Sequence, residues 1–139
     1  MTDSGHQSSL KVRLEALATF LPLFESPDFS YGTWDTSEGH LPYFFQSEDA
    51  GCFVRTAYEH GWCNSNINWV EWIATDDAQR FKDGPEPIAE ATVSDLEHLL
   101  TTFIRQDRFV EGNLDTLYES GHLTAITRRA ATLLRELDH

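Results

Sequence analysis

Apolar residues recur at helical spacing in three long stretches of the chain. Leu10, Leu14, Leu17, Leu21 and Phe24 form the first stripe, tightened or ended by Pro22 and closed by Ser26-Pro27-Asp28. Leu96, Leu99, Leu100, Phe103 and Ile104 form the second. Leu123, Ile126, Ala130, Leu133, Leu134 and Leu137 form the third, on a helix expected from about His122 to Leu137. Ser94 and Glu97, three apart, read as a capping box opening the middle helix. Shorter helices are expected over Asp49 to His60, with Phe53, Ala57 and Tyr58 inward and Gly61 as the left-handed cap, and over Trp69 to Phe81 behind Asn68 as N-cap. Another is expected over Leu114 to Ser120, ended by Gly121.

Two segments break this rhythm. Phe29 to Asp35 and Leu41 to Ser47 are aromatic-rich and flank the turn-type cluster Thr36-Ser37-Glu38-Gly39, the pattern of a β-hairpin. Two strands alone are marginal in water, so the hairpin must pack on helices. Asp83-Gly84-Pro85-Glu86-Pro87 is a clear interruption. Residues 1–8 read as a disordered polar tail, and residues 9–139 as a single helical domain without repeat or linker. The expected fold class is mainly α (α+β): a compact helical domain of about five helices with one small antiparallel β-hairpin.

Charge narrows the function. Ten Lys and Arg face 23 Asp and Glu, a formal net charge of −13, and only Lys11 and Lys82 are lysines. Such an excess suits work in high salt, where self-repulsion is screened; an acidic protein from an arginine-favouring genome has the same look. Residues 1–98 carry 5 basic and 17 acidic side chains, residues 99–139 carry 5 and 6. An anion site therefore belongs in the last third, and direct nucleic-acid binding is not expected, because the rest of the chain repels phosphates. No signal-peptide pattern and no window of membrane-spanning length is visible, so the expectation is a cytoplasmic protein with reduced thiols and no membrane partner.

The chemistry on offer is sparse. The chain has no glycine-rich phosphate loop, no His-Glu-x-x-His and no Cys-x-x-Cys. Cys52, His60 and Cys63 lack an evident fourth zinc ligand and read as small apolar cysteines beside a helix cap, with no basic neighbour to activate a thiol. The expectation is no metal and no cofactor. Trp69 and Trp72, three apart beside Glu71, are either core tryptophans or an aromatic wall for a cation or flat ligand. Leu117 to Ile126, followed by Arg128-Arg129, loosely matches a helix-turn-helix, which Gly121 as a plain cap explains equally well. The densest polar cluster is Arg105-Gln106-Asp107-Arg108-Phe109-Val110-Glu111-Gly112. Arg105 and Arg108 project together from a helix end, and Asp107 or Glu111 would orient a guanidinium. The cluster is then an anion clamp, or a staple of ion pairs between helices; a mixed case pairs one arginine structurally and turns the other to a pocket.

Trp34, Leu41-Pro42-Tyr43, Tyr58-Glu59-His60-Gly61, Trp69-Val70-Glu71-Trp72, and above all Arg105 to Gly112 followed by Ser120-Gly121-His122-Leu123, resemble the domain of unknown function 6508 family of small prokaryotic proteins. The resemblance runs from about Leu14 to Leu137 and implies one domain and a site at Arg105–Gly112, but no reaction. Asn68 stands where that pattern has an Asp. The function expected is a binding or regulatory module for a protein or a small anionic molecule, with Arg105, Arg108, Trp34, Tyr43 and Trp72 as ligand-binding candidates. Two other readings stand: a small enzyme with Glu111 or Asp107 as acid/base, and an acidic inhibitor mimicking nucleic-acid charge. A cleft lined by Arg105, Arg108 and Trp34 favours the first two.

Overall fold

The computed structural model describes residues 2–36, 39 and 41–137, and of residues 2–8 the backbone alone. In chain order the helices are α1 (Thr2–Ala18), α2 (Leu21–Glu25), α3 (Glu48–Glu59), α4 (Trp69–Trp72), α5 (Asp76–Asp83), α6 (Val93–Asp107), α7 (Asn113–Glu119) and α8 (His122–Leu137), with a 3₁₀ turn at Glu86–Glu90. Strands β1 (Gly32–Asp35) and β2 (Tyr43–Gln46) lie between α2 and α3. The mainly helical class with one antiparallel hairpin holds. The helices outnumber the five or so expected, because two apolar stretches that read as single helices are each split. α1 starts ahead of its first apolar position, Leu10, so residues 2–8, expected as a polar tail, have helical backbone.

The first split is at Pro22, which has no N–H to donate and so sits in the first turn of α2, where none is needed. The second is at Thr75. Its backbone is extended, and its hydroxyl accepts from Ala78 N at 3.2 Å and donates to Trp72 O at 2.7 Å. α4 therefore stops and α5 begins within the stretch expected as one helix over Trp69–Phe81. Asn68 does cap its start, accepting from Glu71 N at 3.2 Å.

The capping box of α6 lies two residues earlier than expected. Thr92 Oγ1 accepts from Asp95 N at 3.1 Å while Asp95 Oδ2 accepts from Thr92 N at 2.9 Å. Thr92 has the extended backbone an N-cap requires. Ser94 is already helical, and its carbonyl oxygen lies 2.7 Å from His98 Nδ1.

α8 is the centre of the packing: α1, α2, α7 and the 3₁₀ turn all lie against it. Its Leu123, Ile126 and Ala130 are buried, whereas Leu137, expected inward, is exposed at the helix end. α6 buries Leu96, Leu99 and Leu100 and an unbroken run from Thr101 to Ile104. Phe24 meets Phe20, Phe29, Phe53 and Tyr118 at centroid separations of 5.1 to 6.0 Å, an aromatic knot beneath the hairpin's base. Trp62, fully buried, donates Nε1–H to Arg13 O at 2.9 Å. Arg13 lies 4.4 Å over that indole, and also donates to His60 O and to Glu97, each at 2.7 Å. No helix among the described residues is long and apolar enough to cross a membrane.

In the hairpin Trp34 pairs with Phe44 and Asp35 with Tyr43. Side chains alternate between faces, so Trp34 and Phe44 share one face while Tyr43 and Phe45 share the other. Of the expected turn cluster, Ser37 and Glu38 lie outside the described residues.

Candidate functional site

The end of α6 and the loop after it bring most of the sequence candidates together, in two groups rather than one. Gly112, the N-cap of α7, has φ +80° and no side chain to satisfy the first amides of that helix. Asp107, half-buried at the end of α6, supplies the acceptor: its Oδ1 takes Leu114 N at 3.1 Å, while Asn113 N donates to Val110 O at 3.0 Å. Burial raises the Asp107 pKa, the nearby Leu114 and Asn113 amides pull it back, and the Glu111 carboxylate adds to the rise. Glu111 accepts the Phe44 N–H of β2. Trp34 closes this group. A Cβ at Gly112 would stand 2.5 Å from its indole, so the ring rests directly on glycine backbone. Tyr31, fully buried against Phe29 and Tyr118, has a hydroxyl without a partner among the described residues. Burial, then the Asp107 and Asp115 carboxylates, push that phenol upward.

The arginines form the second group. Neither is bonded to Asp107 or Glu111, whose carboxylates accept backbone amides, so no ion-pair staple is seen at this cluster among the described residues. Arg108, exposed, donates from Nη2 to the Tyr58 hydroxyl at 3.0 Å. Tyr58, expected inward, is 38 % exposed. Burial of its oxygen raises its pKa, a hydrogen bond with Cys63 adds to the rise, and the two guanidinium groups lower it. Arg105, half-buried, lines a cavity of about 300 Å³ together with Ser65, Ile67, Asn68 and Trp69. The Trp69 ring lies 6.3 Å from that of Phe109, which is 79 % exposed on the loop beyond Arg108. The cleft at Arg105 is thus completed by Trp69 and Asn68 rather than by Trp34.

A family model matches residues 9–136, nearly the whole chain. The chain belongs to the family of unknown function DUF6508. No curated protein and no solved structure matches it significantly. In this DUF6508 member the stretch Arg105 to Gly112 joins both groups: its acidic residues accept amides of α7 and β2, and its arginines reach Tyr58 and the cavity.

The remaining candidates are dispersed. Tyr43 lies on the hairpin face opposite Trp34, its ring 4.6 Å from Phe45. Trp72 packs on the core with its ring 5.4 Å from His98, while Trp69 lines the cavity, so the indole pair does not form a wall. Glu71 is taken up by the cap: Asn68 Nδ2 donates to its Oε2 at 3.2 Å. Cys52 does have a basic neighbour, since Arg55 Nη2 donates to its sulfur at 3.0 Å across one helical turn. No grouping of metal-ligating side chains occurs among the described residues. The helix-turn-helix match falls on α7 and α8, with Gly121 at φ +89° as the cap between them and Leu123 and Ile126 committed to the core. Sequence reasoning did not link Tyr58 to the arginines. Its only trace was the position at the end of a helix whose partner face lies 50 residues away.

Proposed function

We propose that this DUF6508 domain is a binding module for a small anion, with Arg105 as the receptor group and Arg108 held beside it by Tyr58. The observation that carries this reading is that the two carboxylates adjacent in sequence are consumed by backbone amides, so neither guanidinium is neutralised by them. An arginine beside a half-open cavity, with an amide side chain and an indole next to it, suits a planar carboxylate or a phosphate. The same bonds give Asp107 and Glu111 structural work in holding α7 and β2.

The test is a melting-temperature screen of wild type, Arg105→Met and Arg108→Met against acetate, phosphate and sulfate at constant ionic strength. A ligand of the native state raises the midpoint by mass action. Wild type is expected to respond and Arg105→Met not to. If no anion moves wild type, the proposal fails. A protein partner is the second reading, favoured by Phe109 and Val110, 79 % and 58 % exposed beside Arg108. Loss of a co-purifying protein in Phe109→Ala, with the anion response intact, would select it.

A further inference from the structure

A second cavity, about 480 Å³, lies between the 3₁₀ turn and the first half of α8, and shares no lining residue with the cavity at Arg105. Its size is that of a site for a small organic molecule. Its apolar lining is Pro85 and Ala89 on the side of the 3₁₀ turn and Ala125 on α8. α8 also contributes Arg128 and Arg129, and the turn contributes Glu86.

These three charges are not equivalent. Arg128 is committed to Glu25, Nη2 to Oε2 at 2.8 Å. Arg129 donates Nε–H to Ala91 O at 2.8 Å, which fixes the plane of its guanidinium and leaves the two Nη groups without a partner among the described residues. Glu86 has no ion pair or hydrogen bond among the described residues, and its Oε2 folds back over Gly84, 2.4 Å from where a Cβ there would stand. The cavity therefore offers one uncompensated cation, anchored on the central helix, one uncompensated carboxylate and an apolar lining. We infer that it takes a zwitterionic ligand of the α-amino acid class with a short apolar side chain. The ligand carboxylate sits end-on against the Nη pair of Arg129, its ammonium meets Glu86, and its side chain covers Pro85, Ala89 and Ala125. A ligand without net charge also escapes the repulsion that a chain at −13 exerts on a free anion.

The test is an NMR titration of the full chain with leucine, with isocaproate, which lacks the ammonium, and with isoamylamine, which lacks the carboxylate. Leucine is expected to shift the amides of Ala89, Thr124 and Ala125 saturably, and both single-charge analogues to bind at least about tenfold more weakly. Glu86→Gln should bring leucine down to the level of isocaproate. Ala89→Trp, an exposed position whose new side chain fills the cavity without removing the Arg129 bond to Ala91, should abolish binding with an unchanged circular dichroism spectrum. Arg105→Met should bind leucine as wild type does, which separates this site from the anion site proposed above. The inference is overturned if leucine causes no saturable shift in wild type, if isocaproate matches it there, or if folded Ala89→Trp still binds it.

Discussion

The carboxylate of Asp107 lies over the first amides of α7, where burial raises its pKa and the amide bonds act against the rise. Asp115, on α7 itself, is raised by burial and then by Glu119. A carboxyl whose native pKa stands above its unfolded value, about 3.9 for Asp, binds its proton more tightly when folded. Its contribution favours the fold at acid pH and is lost as pH rises through the native value. Asp107→Asn keeps an oxygen to accept from Leu114 N and removes the titration. Measured as urea midpoints between about pH 4 and 7, the stability of the variant relative to wild type should therefore grow with rising pH and then level off. A difference independent of pH would show that the raised carboxyl plays no part. The role of Asp107 was invisible in the sequence, where its neighbours Arg105 and Arg108 were the obvious partners. What decided it is that Gly112 has no side chain for the cap.

At the scale of elements, four helices start where the N-cap side chain accepts one of the first free amides: Ser47, Asn68, Thr75 and Thr92. Thr92→Ala should lower stability by about 1 kcal/mol, whereas Ser94→Ala should stay within about 0.5 kcal/mol of wild type; paired thermal melts distinguish them. A larger effect at Ser94 would return the helix start to the later position. The spacing rule for capping boxes was sound, but two overlapping frames satisfied it: Thr92 with Asp95, and Ser94 with Glu97. Glu97 instead reaches Arg13 on α1 at 2.7 Å, a contact no local pattern contains. The hairpin was legible from its aromatic alternation. Its support was not, because the Glu111 bond to Phe44 and the seat of Trp34 on Gly112 join segments far apart in the chain.

For the molecule as a whole, the charge excess is concentrated in the first 98 residues, with 17 acidic against 5 basic side chains. Among the described residues only a few ion pairs offset it, such as Arg13–Glu97 and the exposed Arg128–Glu25. Exposed pairs contribute little, and the remaining repulsion is screened by salt. The melting temperature should rise between dilute buffer and molar potassium chloride. A flat or falling midpoint would count against adaptation to high salt.

Hydrophobic periodicity determined that the chain is mainly helical, that α6 and α8 carry its best apolar stripes, and that a hairpin interrupts them, since burial of one face is a local, periodic demand on sequence. The glycine caps at 61 and 121 followed from the same local logic. Only the tertiary structure decided which polar groups are spent and which remain. Asp107 and Glu111 are taken by backbone amides, Glu71 by Asn68 and Arg128 by Glu25. Arg105 and Arg129 are left facing cavities, one beside Asn68 and Trp69, the other opposite Glu86. A charged side chain with several nearby partners is assigned by geometry, and two of these partners, Phe44 for Glu111 and Glu25 for Arg128, come from distant parts of the chain that the fold brings into reach.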